Sequence, residues 1–185
     1  PPQGDEAELI HLAKYYHTTP LLTLTSLSEN GTFSSALANR VLIEPELREK
    51  VVNAVAEAVK QNEYGGVDVD FEYIPREAAT AYADFVAAIR EKLATDYVVF
   101  VSAAPKTSAE QPGLLYGGHD YRLLVEAADM VLLMTYEWGY TYGPPMAVSP
   151  LPQVKRVLDY GITEIPRRKI LMGVPNYGYD WALPY

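Results

Sequence analysis

Cysteine is absent from this chain of 185 residues. Its absence removes thiol nucleophiles, disulfides and thiolate metal sites together. It leaves the redox compartment open, because a protein without cysteine is compatible with every compartment. The glycine-rich loops that bind the phosphates of dinucleotides and nucleoside triphosphates are also lacking.

Positive charge is in deficit, with 15 Lys and Arg against 24 Asp and Glu and a net charge of −9. Nucleic acids and anionic lipid surfaces bind positive patches, so we expect neither as a partner. No apolar run approaches the roughly 20 residues that cross a bilayer. Residues 1–6 contain neither the basic nor the apolar segment of a signal peptide.

The rest of the composition is that of a globular protein. Hydrophobic residues make up 49% and charged residues 21% of the chain, which are ordinary values, and we expect one domain over 1–185. Tyrosine is over-represented, at 15 copies. Aromatic rings suit sugar faces and protein cores equally well. Many of them cluster late in the chain: Tyr136, Trp138, Tyr140, Tyr142, Tyr177, Tyr179, Trp181 and Tyr185.

Five apolar runs rich in Val, Leu, Ile and aromatic residues predict buried strands. They cover 21–26, 66–73, 97–104, 130–138 and 169–177. Helical patterns lie at about 5–15, 45–59, 78–93, 121–128 and 154–161. Gly161 is predicted to end the last of these helices. This α/β alternation predicts parallel strands joined by right-handed crossovers.

Two architectures share this pattern, an open doubly wound sheet and a (β/α) barrel. A complete eight-stranded barrel takes about 250 residues and at least about 200. The chain offers five predicted strands, so a barrel would be present as about five β/α units.

The informative motif is the run of acids at the end of the second predicted strand. Side chains on a strand alternate between its faces, so Asp68, Asp70 and Glu72 point the same way, about 6.6 Å apart per step. The intervening apolar residues and Tyr73 would pack against helices. Like charges in one file raise one another's pKa, so at least one acid is expected to keep its proton near neutral pH. A protonated carboxyl at a strand end is what cleavage of a glycosidic bond requires.

Other interpretations of the acid file remain open at this point. The three carboxyl groups could bind a divalent cation, although they all come from one strand. They could also form a structural cluster satisfied by tyrosines and backbone groups. The three histidines do not point to a catalytic role. His11 and His17 are expected on the surface, and His119, in a loop before a helix, is either structural or directed at substrate.

The stretch Asp68-Val69-Asp70-Phe71-Glu72 resembles the end of the glycoside hydrolase family 18 signature, Asp-Gly-x-Asp-x-Asp-x-Glu. Gly66 matches the glycine of the signature, and Gly65 stands where its first Asp is expected. Segments 102–105, 133–137 and 172–178 resemble the fifth, sixth and seventh strands of the family, in the correct order. The resemblance implies a (β/α)8 TIM barrel of which strands three to seven are present, truncated at both ends.

Within the family, the sequence most resembles the spore germination and cortex-lytic N-acetylglucosaminidases. The segments that carry this likeness are 104–113, 116–121 and 134–139, together with Tyr73 directly after the acid file. The implied reaction is substrate-assisted, retaining hydrolysis of β-1,4-linked N-acetylglucosamine polymers, either spore cortex peptidoglycan or a chitin-like polymer. The alternative is a sugar-binding module on the same fold that has no turnover.

The resemblance also implies a role for each matching residue. Glu72 would be the general acid and base, Asp70 would orient the acetamido group of the sugar, and Asp68 would share a proton with Asp70. Tyr136 would donate its hydroxyl to the acetamido carbonyl. The residues implied to line the sugar pocket are Met134, Glu137, Trp138, Asn176, Tyr177 and Ala104, with Glu137 replacing an Asp of the family.

No cofactor and no metal ion are implied, and the expected partner is a polysaccharide. The family resemblance places the protein outside the cell or on the spore. The open sheet edges of an incomplete barrel would favour self-association.

Overall fold

The computed structural model describes residues 6–182 and contains one sheet of five parallel strands. The strands are β1 (Leu21–Thr25), β2 (Gly66–Asp70), β3 (Val98–Ala103), β4 (Met130–Leu133) and β5 (Ile170–Met172). Their order in the sheet is their order in the chain. A doubly wound sheet reverses its order at a switch point, and this sheet does not. The architecture is therefore TIM-barrel-like, as one of the two predicted alternatives required.

Helices precede and connect the strands. They are α1 (Glu6–Tyr15), α2 (Ser35–Ile43), α3 (Pro45–Gln61), α4 (Ala79–Leu93), α5 (Leu114–Gly117), α6 (Tyr121–Ala127) and α7 (Leu151–Glu164). The sequence prediction missed α2, a short helix whose start is marked by Ser34, which caps the Leu37 N–H at 3.2 Å. Asp5, where the first helix was predicted to start, and Tyr185 lie outside the described residues.

The core lies between the sheet and its helices. Val67 and Val69 of β2 and Val99 and Val101 of β3 are fully buried. The apolar stripe of α4 packs against them, and its members Tyr82, Phe85, Val86 and Ile89 are fully buried too. Burying side chains of this size stabilises the fold by about 1.5–3 kcal/mol each relative to exposure. The buried face of β2 and β3 is thus packed firmly against α4.

The strands end earlier than the apolar runs predicted. The fourth run was predicted to reach Trp138 and the fifth to reach Tyr177, whereas β4 ends at Leu133 and β5 at Met172. Apolar and aromatic residues continue into the loops that follow β4 and β5, so composition alone predicts strands that are too long. Tyr73 was predicted to pack against helices, but it is exposed and has a φ of 56°. The alternation of faces therefore stops at Glu72.

The prediction that Gly161 ends the last helix is wrong, because α7 continues to Glu164. Its hydrogen atom faces β4, and a Cβ at this position would lie 3.0 Å from Cδ1 of Leu133. The glycine therefore lets α7 approach the sheet closely. Within residues 6–182, no helix has both the length and the apolar character needed to cross a bilayer.

The close approach of β2 and β3 yields a stability prediction. A Cβ at Gly66 would lie 2.0 Å from the Val98 carbonyl oxygen, so Gly66→Ala forces the two strands apart. We expect it to lower the free energy of unfolding by about 1–3 kcal/mol or more in urea denaturation. Gly178→Ala is the matched control, since nothing lies within 4 Å of its Cβ, and it should stay within about 0.5 kcal/mol. Equal losses in the two variants would contradict this packing.

Candidate active site

Three acids follow one another along the carboxyl end of β2. Asp68 and Asp70 are half-buried on the strand, and Glu72 is half-buried two residues further on. Val67, Val69 and Phe71, on the opposite face, are buried. The structure therefore confirms that the three acids share a face. It also places them at the strand ends where barrel enzymes carry their active sites.

Asp68 is the deepest acid of the file, and a neighbouring strand supports it. The Ser102 hydroxyl of β3 donates toward its carboxylate oxygens, at 3.2 Å from Oδ1 and 3.1 Å from Oδ2. Burial raises the pKa of Asp68, while the hydrogen bond from Ser102 opposes that rise. The sequence showed Ser102 only as part of a strand. Its role depends on register, since Asp68 pairs with Phe100 and Ser102 lies two residues further on the same face.

Asp70 is the least satisfied acid. Its Oδ1 is buried and has no hydrogen-bond partner among the described residues. Burial, and then the charge of Asp68, raises the pKa of Asp70 to about 6. A buried acceptor without a donor is costly, so this oxygen is suited to accept a hydrogen bond from a bound molecule.

Glu72 has the highest pKa of the three acids. Burial raises it to about 7, with smaller contributions from the charges of Asp70 and Glu137. Repulsion within the file was the expected cause of such a shift, but loss of hydration is the larger one. The contribution of Glu137 was not foreseen, because Glu137 comes from the loop after β4. Near neutral pH, a large share of Glu72 carries a proton.

Tyr136 brings a hydroxyl toward the acids from the loop after β4. Burial raises the pKa of Tyr136, and the charges of Asp70, Asp68, Glu72 and Glu137 raise it further. Gly173 leaves room for this ring, since a Cβ there would lie 2.5 Å from Cε1 of Tyr136. Thr135 joins the loop after β4 to the loop after β5, because its hydroxyl donates to the Gly173 carbonyl at 2.7 Å.

Glu137 is held by two tyrosines from the loop after β5. The Tyr177 hydroxyl donates to its Oε1 at 2.5 Å, and the Tyr179 hydroxyl lies 3.0 Å from both carboxylate oxygens. Glu137 has a φ of 67°, which is unusual for a residue other than glycine. The sequence analysis grouped Glu137 and Tyr177, and the structure brings them together. Tyr179 appeared in that analysis only as one of the clustered aromatics.

The remaining residues implied to line a sugar pocket differ in exposure. Asn176 is exposed, whereas Trp138 is half-buried against the core and Met134 is almost fully buried. Ala104 has no exposed surface, and its N–H and carbonyl are both hydrogen-bonded to side chains. The structure thus places Ala104 beneath the site, as part of its support.

A surface cavity of about 530 Å³ lies beside Arg90, Tyr97 and Asp129. These residues precede β3 and β4 or lie on α4, so the cavity is at the amino ends of the strands, opposite the acids. In barrel enzymes that end of the sheet contributes to stability.

Among residues 6–182, no group of three or more His, Asp or Glu is arranged to hold a metal ion. The acids and Tyr136 instead combine a proton donor, an acceptor in need of a donor and a phenol.

Comparison with known proteins gives this geometry a family context. The profile of the glycosyl hydrolases family 18 matches residues 9–184. The cortical fragment-lytic enzyme of Bacillus subtilis is 41% identical over 170 residues, which cover 91% of this chain and 39% of that protein. The crystal structure of the Bacillus cereus spore cortex-lytic enzyme SleL superposes with a TM-score of 0.94 at 34% identity, over 100% of this chain and 42% of that one.

A chitinase from Chromobacterium violaceum superposes with a TM-score of 0.89 at 23% identity, over 97% of this chain and 56% of that one. At this identity the likeness concerns the fold alone. The chain spans about two fifths of the length of the cortex-lytic relatives it matches.

The electrostatics of the site predict an order of effects on Glu72. Removing a neighbouring negative charge lowers a carboxyl pKa. Asp70→Asn should therefore lower the pKa of Glu72, and Glu137→Gln should lower it less, because Asp70 makes the larger contribution. The measurement is a ¹³C NMR titration of the Glu72 carboxyl. Glu57→Gln, at an exposed position of α3, is the control, and a shift equal to that of Asp70→Asn would refute the assignment.

Burial of Glu72 also predicts how stability depends on pH. An acid whose pKa is raised on folding binds more protons in the folded state, so its contribution to stability falls as pH rises from its unfolded pKa of about 4.3 to the folded value. Glu72→Gln should therefore melt at a higher temperature than the wild type at pH 8, and the difference should vanish near pH 4. Calorimetry at both pH values measures this, and a variant less stable at pH 8 would contradict the burial of a costly charge.

Proposed function

The chain belongs to the glycosyl hydrolases of family 18, and we propose that it hydrolyses β-1,4-linked N-acetylglucosamine polymers by substrate-assisted catalysis. The proposed substrate class is the peptidoglycan of the spore cortex. This choice is supported by the names of its relatives, a cortical fragment-lytic enzyme and a spore cortex-lytic enzyme. Chitin-like polymers share the same repeating acetamido sugar and are the second substrate to test.

The observation that carries the proposal is the file of half-buried acids at the carboxyl end of β2, in which Glu72 follows Asp68 and Asp70 on one face and burial raises its pKa to about 7. A general acid works best when its pKa lies near the working pH, because it then holds a proton and can also give it away. We assign Glu72 to protonate the glycosidic oxygen as the bond to the leaving sugar breaks. After the leaving sugar departs, the Glu72 carboxylate accepts a proton from the water that attacks the intermediate.

The substrate supplies the nucleophile in this scheme, as in the family 18 exception to the two-carboxylate rule. The oxygen of the 2-acetamido group attacks the anomeric carbon of its own sugar, which forms an oxazolinium ion. Asp70 accepts a hydrogen bond from the acetamido N–H through its unpartnered Oδ1, and its charge stabilises the cation. Asp68 shares a proton with Asp70, and Tyr136 donates its hydroxyl to the acetamido oxygen.

The loops after β4 and β5 form the proposed sugar-binding wall. Tyr177 and Glu137, joined by their hydrogen bond, present a ring and a carboxylate at the rim. Trp138, Met134 and Asn176 complete this wall. Aromatic rings bury the apolar faces of sugars, while the carboxylate accepts hydrogen bonds from their hydroxyls.

The proposed place of action is the spore or the cell exterior, in keeping with the named roles of the relatives. The strands would correspond to strands three to seven of the barrel. Among the described residues, β1 and β5 each pair on one side only. We expect these edges to favour self-association wherever no further strand covers them.

The test is digestion of spore cortex peptidoglycan and of chitin oligosaccharides, analysed by mass spectrometry, with the protein expressed at its natural full length. We expect new N-acetylglucosamine reducing ends from the wild type. Glu72→Gln removes the acid without changing the side-chain volume and should lower kcat by about 10²–10⁴-fold. Glu57→Gln on the exposed face of α3 is the control and should retain the wild-type rate.

Two outcomes would overturn this function. Wild-type rates in Glu72→Gln would show that the acid is misassigned. Binding of either polymer without cleavage by the wild type would favour a sugar-binding module over an enzyme.

A further inference from the structure

The residue directly before Glu72 is held by side chains. Strand β2 ends at Asp70, and both main-chain polar groups of Phe71 bind buried side chains. The Phe71 N–H donates to the Tyr82 hydroxyl at 3.4 Å, and the Phe71 carbonyl lies 3.0 Å from Nε2 of His119. Helix α4, through Tyr82, and the loop before α6, through His119, therefore hold the backbone at Phe71, beyond the end of β2.

The hydrogen bonds of His119 define its tautomer. Its Nδ1 lies 2.6 Å from the Ala104 N–H, and a main-chain amide only donates, so Nδ1 is the acceptor and carries no hydrogen. The proton of the neutral ring is therefore on Nε2, where it donates to the Phe71 carbonyl. His119 thus joins the loop after β2 to the end of β3 through two bonds of opposite polarity.

The surroundings of the ring are fixed as well. His119 is fully buried, and its own carbonyl accepts from the buried Lys106 ammonium at 3.0 Å. The Tyr121 hydroxyl donates to the Ala104 carbonyl at 2.6 Å and accepts from the Lys106 N–H at 2.8 Å. The ring of Tyr82 lies 5.8 Å away. Burial lowers the pKa of His119 to about 4; the hydrogen bond to the Phe71 carbonyl opposes this, the nearby Lys106 charge adds to it, and the ring stays neutral.

Glu72 lies between this held peptide and a strained one. Tyr73, which follows it, has a φ of 56°, in the left-handed region that residues with a side chain rarely adopt. Such strain persists only where neighbouring contacts over-determine the backbone. The backbone on both sides of Glu72 is therefore constrained, and the bond between His119 and the Phe71 carbonyl is one of the constraints.

We propose that His119 is a positioning residue for Glu72, acting through its Nε2–H on the Phe71 carbonyl. This inference rests on the proposed function, in which Glu72 is the acid. It extends that function to a buried loop residue that touches no substrate. The acid of β2 is then aimed by the segment that links β3 to α6.

Two variants separate the two bonds of the ring. In His119→Asn the amide oxygen takes the place of Nδ1 and keeps the Ala104 bond, but the side chain is too short to reach the Phe71 carbonyl. In His119→Gln the amide nitrogen takes the place of Nε2 and keeps the Phe71 bond. Both lose the ring and comparable packing, and each keeps one of the two bonds, so a loss seen in His119→Asn but not in His119→Gln belongs to the Phe71 contact.

In the protein at its natural full length, we expect His119→Asn to lower kcat on peptidoglycan by about 10–100-fold with KM changed less than about threefold. His119→Gln should recover at least about tenfold of that loss at a similar melting temperature. His11→Asn, at an exposed position of α1, controls for the substitution. Equal kcat values in the Asn and Gln variants would overturn the positioning role.

A second readout does not depend on activity. ¹³C NMR titration should show the pKa of Glu72 falling toward its ordinary value in His119→Asn and staying raised in His119→Gln. Tyr121→Phe, which breaks bonds to Ala104 and Lys106 but none to Phe71, should lower stability and leave the Glu72 pKa in place.

These readouts distinguish the two ideas. An inactive wild type with the NMR shifts as expected would refute the proposed function and keep the positioning role. If both His119 variants fail to fold, ¹⁵N NMR of the wild type decides, because a proton on Nδ1 instead of Nε2 would overturn the proposal.

Discussion

A carboxylate that leaves water loses several kcal/mol of hydration unless protein donors replace it, and the acid file of β2 replaces that hydration only in part. Asp68 receives one hydroxyl, from Ser102, while Oδ1 of Asp70 receives no donor among the described residues. The hydration that is not replaced raises the pKa of all three acids, to about 6 at Asp70 and about 7 at Glu72. The chemistry we propose uses this deficit: the acid keeps a proton to give, and Asp70 keeps an acceptor for the substrate.

Buried and hydrogen-bonded neighbours support the strand that carries these acids. The apolar face of β2 is buried against α4, so the strand cannot rotate to expose its acids. The loops after β4 and β5 are tied to each other by Thr135 and by the two tyrosines on Glu137. They pack Tyr136 against Gly173 and add the negative charge of Glu137 near Glu72. Stability is given up at the site and recovered in the core beneath it, a common pattern in enzymes.

The sequence was sufficient for features that depend on local pattern. It predicted five strands, their parallel alternation with helices and the shared face of Asp68, Asp70 and Glu72, because side-chain periodicity encodes each of these. It failed where distant segments decide. Strand ends depend on where the neighbouring strand stops, the Ser102 bond depends on register, and Gly161 serves the packing of α7 on Leu133. The sequence left His119 with two roles, structural or directed at substrate. The structure shows that both ring nitrogens are hydrogen-bonded to buried main-chain groups.

In the proposed mechanism Glu72 is the acid and base, Asp70 and Asp68 act on the acetamido group, and the substrate supplies the nucleophile. The most direct test compares kcat/KM for two matched oligosaccharides, one fully N-acetylated and one in which only the sugar at the cleaved bond carries a free amine. We expect the deacetylated substrate to be cleaved at least roughly 10³-fold more slowly, because the intramolecular nucleophile is gone. Comparable rates on the two substrates would contradict it, since a carboxylate of the protein would then have to attack the sugar itself.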